Sequence, residues 1–424
     1  MISRIKRRIK THPLIETFSK LEGNPKVCLW TEPLWGIPAA LYTPYMSVYM
    51  AALGLSDLMI GQVIAVGLFF QVLTSLLGGV LTDRLGRRLT TFIFDTFSWS
   101  VPVLLWMLAD SYEVFIAASI ANAFFQITAN SWTNLMVEDA PKEELVNMFT
   151  WTTLAGLLSV FFAPIAGALI KRLGLVTGMR VIFAFTFVMM TSKFVLTWIF
   201  TEETEIGKRR REALRGTSIR SQLKDYGPVL RRMFKNKNII FILLLMVMVQ
   251  IGITINNNFF SLYTTKNLGI PERFLSYFPM LRAGIMLILI FTIQTRLNRL
   301  PFKIPLASGL LLYIAAQLIL IFSPYQSLPF VFLYTAAEAL AYALVIPQRD
   351  ALLNTFIDQD ERARELSLMN ALMVALSAPF GYISGRLSSL DRRYPFVLNM
   401  ACYLLCLLLL LRQKQSAERT PEKR

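Results

Sequence analysis

Five ionisable residues interrupt runs of the sequence that are otherwise apolar, namely Glu32, Asp95, Lys193, Arg282 and Glu338. A charged side chain inside such a run costs free energy unless a partner neutralises it or a function requires it. Asp95 and Lys193 each lie about seven residues from the basic end of their run, a depth that permits them to meet. We predict a structural ion pair between them, and a functional role for this pair is the open alternative.

Arg282 and Glu338 lie at a similar depth in two later runs, about 12 to 15 Å from the end of each. They form a second candidate pair. A movement of Arg282 relative to Glu338 would change the proton affinity of the carboxylate. We therefore predict that Glu338 couples a proton to the function of the protein, with a static Arg282–Glu338 pair as the alternative.

Other kinds of chemistry lack the residues that they need. The only histidine, His12, lies in a basic tail, and the cysteines are Cys28, Cys402 and Cys406. Cys402 and Cys406 share a helix face but have no third ligand, so packing explains them better than a metal. Neither G-x-S-x-G nor H-E-x-x-H occurs, and no G-x-x-x-x-G-K-[ST] loop is present. We predict no enzyme activity, no metal and no cofactor.

The runs that hold these residues are membrane helices. The chain of 424 residues is 55% hydrophobic and 17% charged, whereas soluble domains have about 25% charged residues. A helix of about 20 residues crosses the hydrocarbon core of a bilayer, and twelve runs are long enough. Strands are excluded because the apolar runs are long and do not alternate. The predicted spans, in order, are 26–52, 58–81, 89–109, 113–137, 148–171, 177–200, 239–264, 274–297, 303–323, 328–347, 365–386 and 394–412.

Basic residues predict the orientation of these spans. Most of the 43 lysines and arginines lie in the two tails and the even-numbered loops, which indicates that both termini are cytoplasmic. We expect a multi-pass protein of the inner (cell) membrane whose net charge of +16 faces an anionic leaflet, not nucleic acid. No removable signal peptide is apparent in the first 26 residues. The predicted domains are a basic tail (1–25), a six-helix bundle (26–200), a basic linker (201–238), a second bundle (239–412) and a tail (413–424). A partner-docking role for the linker is an alternative to membrane-surface contact.

The sequence repeats itself at an offset of 215 residues. LGLSD at 53–57 aligns with LGIPE at 268–272, DRLGRR at 83–88 with NRLPFK at 298–303, and Ala163-Pro164 with Ala378-Pro379. Three matches at one offset predict two pseudo-symmetric bundles in parallel orientation. The repeat also moves the start of the first span to about residue 24, which places Glu32 about 12 Å inside it.

The loop between the second and third spans has a recognisable pattern. It reads Gly79-Val-Leu-Thr-Asp83-Arg84-Leu-Gly86-Arg87-Arg88, which resembles the G-x-L-x-D-R-x-G-R-R/K signature of the major facilitator superfamily of secondary transporters. A fifth-span pattern of many exporters is present in weakened form, as Gly156 and Ala163-Pro164-Ile-Ala-Gly167. The arginine that many drug/proton antiporters have in the fourth span is absent, since 113–137 contains neither Arg nor Lys.

The resemblance implies a cytoplasmic latch at this loop. In the family arrangement, Asp83 would face the start of the eleventh span, and Arg87 would meet the acidic end of the fourth, where Glu138 and Asp139 lie. Charge-assisted hydrogen bonds of this kind could hold helix ends together and release them. The alternative is that the arginines only set the topology. The predicted latch residues are Gly79, Asp83, Arg84, Gly86, Arg87, Arg88, Glu138 and Asp139.

The resemblance also implies that spans one, four, seven and ten line a central cavity. Glu32 and Glu338 are on such spans and Arg282 lies beside them, so these three are the predicted proton-coupling residues. Asn122, Gln126 and Asn130 form a stripe along the fourth span, which suits a polar ligand, although hydrogen bonds between helices are an equal alternative. The predicted cavity consists of this stripe and of Trp35, Tyr42, Tyr45, Gln250, Asn257, Tyr334 and Tyr342.

The function that we predict is secondary active transport of a small organic solute by alternating access, coupled to protons, by a monomer. The aromatic content and the loop signature favour export of an amphipathic or drug-like compound. The amide stripe favours uptake of a polar solute such as a sugar, and a lipid flippase is a third variant. A membrane receptor with a degenerate carrier fold is the alternative outside transport.

Overall fold

The computed structural model describes residues 16–17, 20–214, 226–292, 301–357 and 362–412. Within these residues every regular element is a helix, and eleven helices are long and apolar enough to cross a membrane. They confirm the predicted all-α membrane fold. As spans 2 to 12 they are Asp57–Leu85, Arg87–Leu108, Tyr112–Val137, Lys142–Leu173, Leu175–Phe200, Lys237–Asn267, Glu272–Ile290, Lys303–Ile321, Leu328–Phe356, Glu365–Leu390 and Tyr394–Arg412.

The first span is a broken run of short helices. It consists of Gly23–Thr31, Pro33–Tyr42, a 3-10 turn at Thr43–Tyr45, and Met46–Ala52. Proline has no backbone N–H to donate and clashes with the preceding turn. This run contains Pro25, Pro33, Pro38 and Pro44, of which Pro33 begins the second helix and Pro44 lies in the 3-10 turn. Run 23–52 is still about 45 Å long, enough for a bilayer core. Glu32 lies at the junction of the first two helices.

The chain divides into two compact units, one of Met1–Asp225 with Glu272–Tyr277, the other of Tyr226–Pro271 with Phe278–Arg424. The helices of the first unit after Ala52 are Asp57–Leu85, Arg87–Asp95, Val101–Leu108, Tyr112–Asn122, Phe125–Val137, Leu145–Ser159, Ala163–Leu173, Leu175–Phe200 and Glu205–Ala213. Those of the second unit are Tyr226–Met233, Lys237–Leu262, Tyr277–Thr292, Lys303–Ile321, Leu328–Phe356, Arg362–Ser377, Pro379–Leu390 and Tyr394–Arg412. The predicted tails, apart from a few residues before Gly23, and part of the linker lie outside the described residues.

The fifth and eleventh spans break at corresponding points of the sequence repeat. A 3-10 turn at Val160–Phe162 precedes the helix Ala163–Leu173, and the helix Arg362–Ser377 ends just before Pro379–Leu390. In both spans the second helix begins with the Ala-Pro pair or its proline. Proline is well suited to the first turn of a helix, where its missing N–H is not needed.

Aromatic side chains form the core of each unit. In the first, Tyr49 is fully buried, donates a hydrogen bond to the carbonyl of Trp106 (2.8 Å) and packs edge-on against Phe183. In the second, Tyr263 packs against Phe396 with their ring centres 5.1 Å apart. These cores hold the spans on which the buried charges lie.

Candidate functional site

A lysine of the sixth span lies among acidic and aromatic side chains in the first unit. The Lys193 ammonium donates a hydrogen bond to the Glu32 carboxylate (Nζ–Oε2, 2.8 Å). Asp95 interacts electrostatically with the same ammonium group. Lys193 and Asp95 are 5% and 8% exposed, so both are buried in the unit. We call Glu32, Asp95 and Lys193 the Lys193 cluster.

The hydrogen-bonded partner of Lys193 differs from the prediction. Equal depth along two helices predicted a pair with Asp95, but the close ion pair is made with Glu32. The helix Pro33–Tyr42 packs closely against the sixth span, and Glu32 lies at its start. Depth alone could not reveal this neighbour, because counting residues along a span does not give the rotation of the helix about its axis.

Asp95 is positioned by an irregular turn in the third span. It ends the helix Arg87–Asp95, and a π-helical turn follows at Thr96–Ser100. Two residues later Pro102 has no N–H to donate to the carbonyl of Ser98. The side-chain amide of Asn122 donates to that carbonyl instead (2.9 Å). Single π-helical turns of this kind occur frequently at functional sites.

Two indole rings lie near the ammonium group of the Lys193 cluster. The Lys193 Nζ atom is 5.3 Å from the ring centre of Trp132 and 5.9 Å from that of Trp35. Trp35 itself packs edge-on against Trp99. Such rings attract a cation through their quadrupole, so the protonated form of Lys193 is held from several sides.

The predicted amide stripe takes part in hydrogen bonds within the first unit. Asn122 bonds to Ser98 as described, Gln126 donates to the side chain of Gln71 (3.4 Å), and the exposed Asn130 accepts from Asn134 (3.2 Å). Two of these three amides therefore join the fourth span to its neighbours.

Of the aromatic residues predicted for the cavity in the first unit, two lie in the core and one lies beside Lys193. Tyr45 is fully buried, and Tyr42 packs against Trp106 and Phe183 in the core of the first unit. Trp35 is half-buried beside Lys193. In the sequence the two tyrosines lie near prolines, and this position did not indicate that they pack in the core.

A second charged cluster lies in the second unit. The Arg282 guanidinium is 3.4 Å from the Glu338 carboxylate and 4.6 Å from the ring centre of Tyr342. The hydroxyl of Tyr334 donates to the side-chain oxygen of Asn256, and the amide of Asn256 also bonds to Glu338. The structure thus brings together four predicted residues, and we call this group with Asn256 the Arg282 cluster.

Sequence reasoning missed Asn256. It selected Asn257 from the run of three asparagines, but Asn257 is exposed and Asn256 is half-buried in the cluster, and Gln250 is half-buried on the same span. Adjacent residues on a helix point about 100° apart. The sequence offered no signal to distinguish the faces of a run with three identical residues.

Buried polar side chains adjoin the Arg282 cluster. Tyr313 and Tyr403 stack with ring centres 4.4 Å apart, and both interact electrostatically with Glu338. Gln317 and Asn399 are fully buried, and their side chains interact with the hydroxyl groups of Tyr334 and Tyr403. Buried amides normally have such partners.

The predicted latch residues lie at the ends of three spans of the first unit. Arg87 is almost fully buried, and its guanidinium forms an ion pair with Asp83 (2.9 Å) and donates a hydrogen bond to Glu138 (3.0 Å). Arg88 donates to the carbonyl of Trp198 (2.6 Å) and lies 4.1 Å from the centre of its ring. Gly86 has a φ of 91°, a backbone conformation that favours glycine. A Cβ atom added at Gly79 would meet open space, and Arg84 is half-buried. The position of Asp83 relative to the eleventh span stays a prediction.

The first residues of the predicted linker complete this group. The carboxylate of Glu203 accepts the backbone N–H groups of Arg87 (2.8 Å) and Arg88 (3.2 Å), and the hydroxyl of Thr204 donates to Glu138. We call Asp83, Arg87, Glu138 and Glu203 the Arg87 cluster. Thr204 also caps the helix Glu205–Ala213. A threonine before an acidic first turn is the sequence signal that could have predicted this cap.

Asp139 contacts the start of the first span and not an arginine. Its carboxylate accepts a hydrogen bond from the Asn24 amide (2.8 Å). Asn24 also bonds to the backbone of Glu202 in both directions. Partial burial raises the pKa of Asp139, and the Asn24 hydrogen bond opposes this change.

The fold and these clusters define a multi-pass helical membrane protein with buried ion pairs in each of two units. Among the described residues no group of histidine, cysteine and acidic side chains could hold a metal. The family model for the Major Facilitator Superfamily matches residues 36–298 and 246–424. The chain belongs to this superfamily.

Known proteins with similarity to the chain include several kinds of carrier. Multidrug resistance protein MdtG of Yersinia enterocolitica serotype O:8 / biotype 1B is 21% identical over 197 residues, 45% of this chain and 47% of that protein. The match thus spans about half the length of that relative. Among solved structures, the nucleoside transporter NupG has a TM-score of 0.69 at 13% identity, over 92% of this chain and 98% of that one. The xylose transporter XylE from E. coli has a TM-score of 0.66 at 15% identity, over 92% and 96%. At these identities the solved structures show the fold alone.

Proposed function

We propose that this protein is a proton-coupled secondary transporter that exports a small amphipathic organic solute by alternating access. The observation that supports coupling is the Arg282–Glu338 pair, in which a carboxylate that is 5% exposed lies 3.4 Å from a guanidinium. Buried ionisable residues in membrane spans are costly, and proton relays use them. A change in the Arg282–Glu338 distance would bind or release a proton at Glu338.

Glu338→Gln tests this role in purified protein reconstituted in liposomes. The amide keeps the size of the side chain but cannot exchange a proton, so the dependence of solute flux on an imposed pH gradient should fall. Glu113→Gln is the matched control, because Glu113 is exposed in the first turn of the fourth span. Unchanged gradient dependence in Glu338→Gln would count decisively against the coupling role.

Export of an amphipathic compound has two supports. The similarity to a multidrug resistance protein is one. The other is that amides of the fourth-span stripe, which favoured a polar solute, are hydrogen-bonded to neighbouring spans. A ligand raises the apparent stability of the state that it binds, so thermal unfolding can be screened against drugs, sugars and lipids. Stabilisation by amphipathic compounds is expected, whereas stabilisation by sugars or lipids would support uptake or a flippase.

Flux separates a carrier from a receptor. A compound found in the screen should move across the liposome membrane under a pH gradient. Binding without flux would support a receptor with a carrier fold.

The proposed setting is the cell membrane with both termini on the cytoplasmic side. The support is the excess of lysine and arginine in the tails and even-numbered loops. Because Cys28, Cys402 and Cys406 are all buried, a single cysteine added at either terminus would be the reactive thiol. A membrane-impermeant maleimide should label it only in inside-out vesicles. We also propose a monomer, for which light scattering in detergent should give the mass of one chain.

A further inference from the structure

The Lys193 cluster has an unbalanced charge. It contains two carboxyl groups, Glu32 and Asp95, and one ammonium group, whereas the Arg282 cluster contains one acid and one base. Lys193 is hydrogen-bonded to Glu32 at 2.8 Å. Asp95 is 8% exposed, and it makes no ion pair within the part of the chain that the structure describes. An ionised carboxylate buried in this way carries a large desolvation cost.

Among the described residues, Lys193 is the cation that acts on Asp95. The helix Phe125–Val137, which packs against Asp95, has no ionisable residue. The first span brings Glu32 and the buried Cys28 near it, whereas Lys26 of the same span is exposed. The sixth span adds Lys193, and its Arg180 bonds to the carbonyl of Ala109. The remaining charged residues of the second and third spans lie toward their ends and are Asp57, Asp83, Arg84, Arg87 and Arg88.

We propose that Asp95 is a second proton-binding site of the transport cycle. In the state described, Asp95 is a neutral carboxyl and Lys193 is paired with Glu32. When the Asp95 O–H bond breaks, the proton passes to water and the electron pair remains on the carboxylate. Lys193 then moves from Glu32 toward Asp95. This inference rests on the proposed function, since it names a group that carries a proton in addition to Glu338.

The turn next to Asp95 supports a path for this proton. The helix becomes π-helical at Thr96–Ser100, directly after Asp95. The hydroxyl groups of Thr96 and Ser98 are buried, and neither has a hydrogen-bond partner among the described residues. The indole N–H of Trp132, next to Lys193, also has none. Buried polar groups normally bond to protein or water, so these three groups can bind water in the part of the unit that holds Asp95 and Lys193.

Infrared difference spectroscopy can observe a protonated carboxyl without any transport assay. The sample is the full chain, purified in lipid nanodiscs, with spectra recorded from neutral to alkaline pH. The carbonyl stretch of a neutral carboxyl should be present at neutral pH and be lost as the pH rises. Asp95→Asn should remove this band, and Glu113→Gln should leave it unchanged.

Two further variants test the exchange of Lys193. Glu32→Gln leaves Lys193 free to pair with Asp95, so the band should be weaker at neutral pH and be lost at a pH about one unit lower than in the wild type. Glu338→Gln should leave the band in place, because Glu338 belongs to the other unit. A band that persists in Asp95→Asn overturns the proposal. If that variant does not fold, an undiminished band in Glu32→Gln overturns it as well.

The result does not depend on the outcome of the flux assay. If flux proves independent of the pH gradient while the Asp95 band titrates, the proposed coupling fails and the assignment of the proton to Asp95 stands. If wild-type protein shows no band, the assignment fails, and coupling through Glu338 remains open to its own test.

Discussion

The carboxylate of Glu203 caps the N-terminal end of the third span from a distant part of the sequence. Its two oxygens accept the backbone N–H groups of Arg87 at 2.8 Å and Arg88 at 3.2 Å. The first N–H groups of a helix have no partner within the helix. A negative charge at this position also interacts favourably with the helix dipole. Glu203→Gln keeps the shape of the side chain and removes the charge.

The expected loss of stability follows from these two contacts. In the glutamine variant one oxygen can still accept an N–H, but the amide nitrogen faces the other N–H as a second donor. A hydrogen bond to a charged group contributes about 1.5–3 kcal/mol, and the charge at the helix end about 0.3–1 kcal/mol. Because Glu203 is half-buried, we expect a total loss of about 2 kcal/mol, which corresponds to a Tm about 4 to 8 °C lower.

Tryptophan fluorescence during heating in detergent measures this change, since the chain has seven tryptophans. Glu202→Gln is the matched control: Glu202 is the preceding residue and is exposed. Its Tm should stay close to that of the wild type. Equal melting temperatures for the two variants would refute the capping role of Glu203.

Three further variants test other contacts of the first unit. Gly78→Leu should lower the Tm by overpacking, at a cost of about 1–3 kcal/mol, because an added Cβ would lie 3.3 Å from the carbonyl oxygen of Gln126. Gly79→Leu is the control and should not lower the Tm, because the space around Gly79 is open. Asn122→Leu should destabilise the third span by about 1–3 kcal/mol, since a buried carbonyl loses its donor, and its unfolding midpoint in denaturant should fall. Burial raises the pKa of Asp139 above 3.8, so the folded state holds this proton to higher pH than the unfolded chain, and stability falls as pH rises from 3.8. A Tm against pH curve for Asp139→Asn should lack that fall; parallel curves would contradict it.

The fold was predictable because membrane spans leave a strong and simple signal. The predicted run 58–81 lies within the helix Asp57–Leu85, and the run 394–412 coincides with Tyr394–Arg412. The requirement to satisfy every backbone hydrogen bond in lipid allows little besides a helix at such places. The first span was the least regular, because Pro33 and Pro44 lie where its short helices meet. The sequence showed the prolines but not which of them would interrupt the helix.

The partners of buried side chains were harder to predict, because they depend on the rotation of helices about their axes. Counting residues gives the depth of a side chain along its span, and for Lys193 it gave the depth at which the acidic side chains lie. It could not choose between Glu32 and Asp95, which lie on different spans. The same uncertainty affected Asn257 and Asn256. Long-range contacts such as Glu203 with Arg87 left no periodic pattern in the sequence at all.

The different charge balance of the two clusters bears on how a proton could be used. In the Arg282 cluster a neutral pair exists without any bound proton, so protonation of Glu338 leaves Arg282 with an uncompensated charge and requires it to move or to find another anion. In the Lys193 cluster the opposite holds, since the loss of a proton from Asp95 creates the excess charge. Two sites with opposite preferences could alternate, one being protonated while the other is ionised. Under that scheme Lys193→Gln removes the positive charge near Asp95, so the infrared band of its neutral carboxyl should persist to a higher pH than in the wild type. A band that is lost at the same pH in both proteins would show that Asp95 is not coupled to the charge of Lys193.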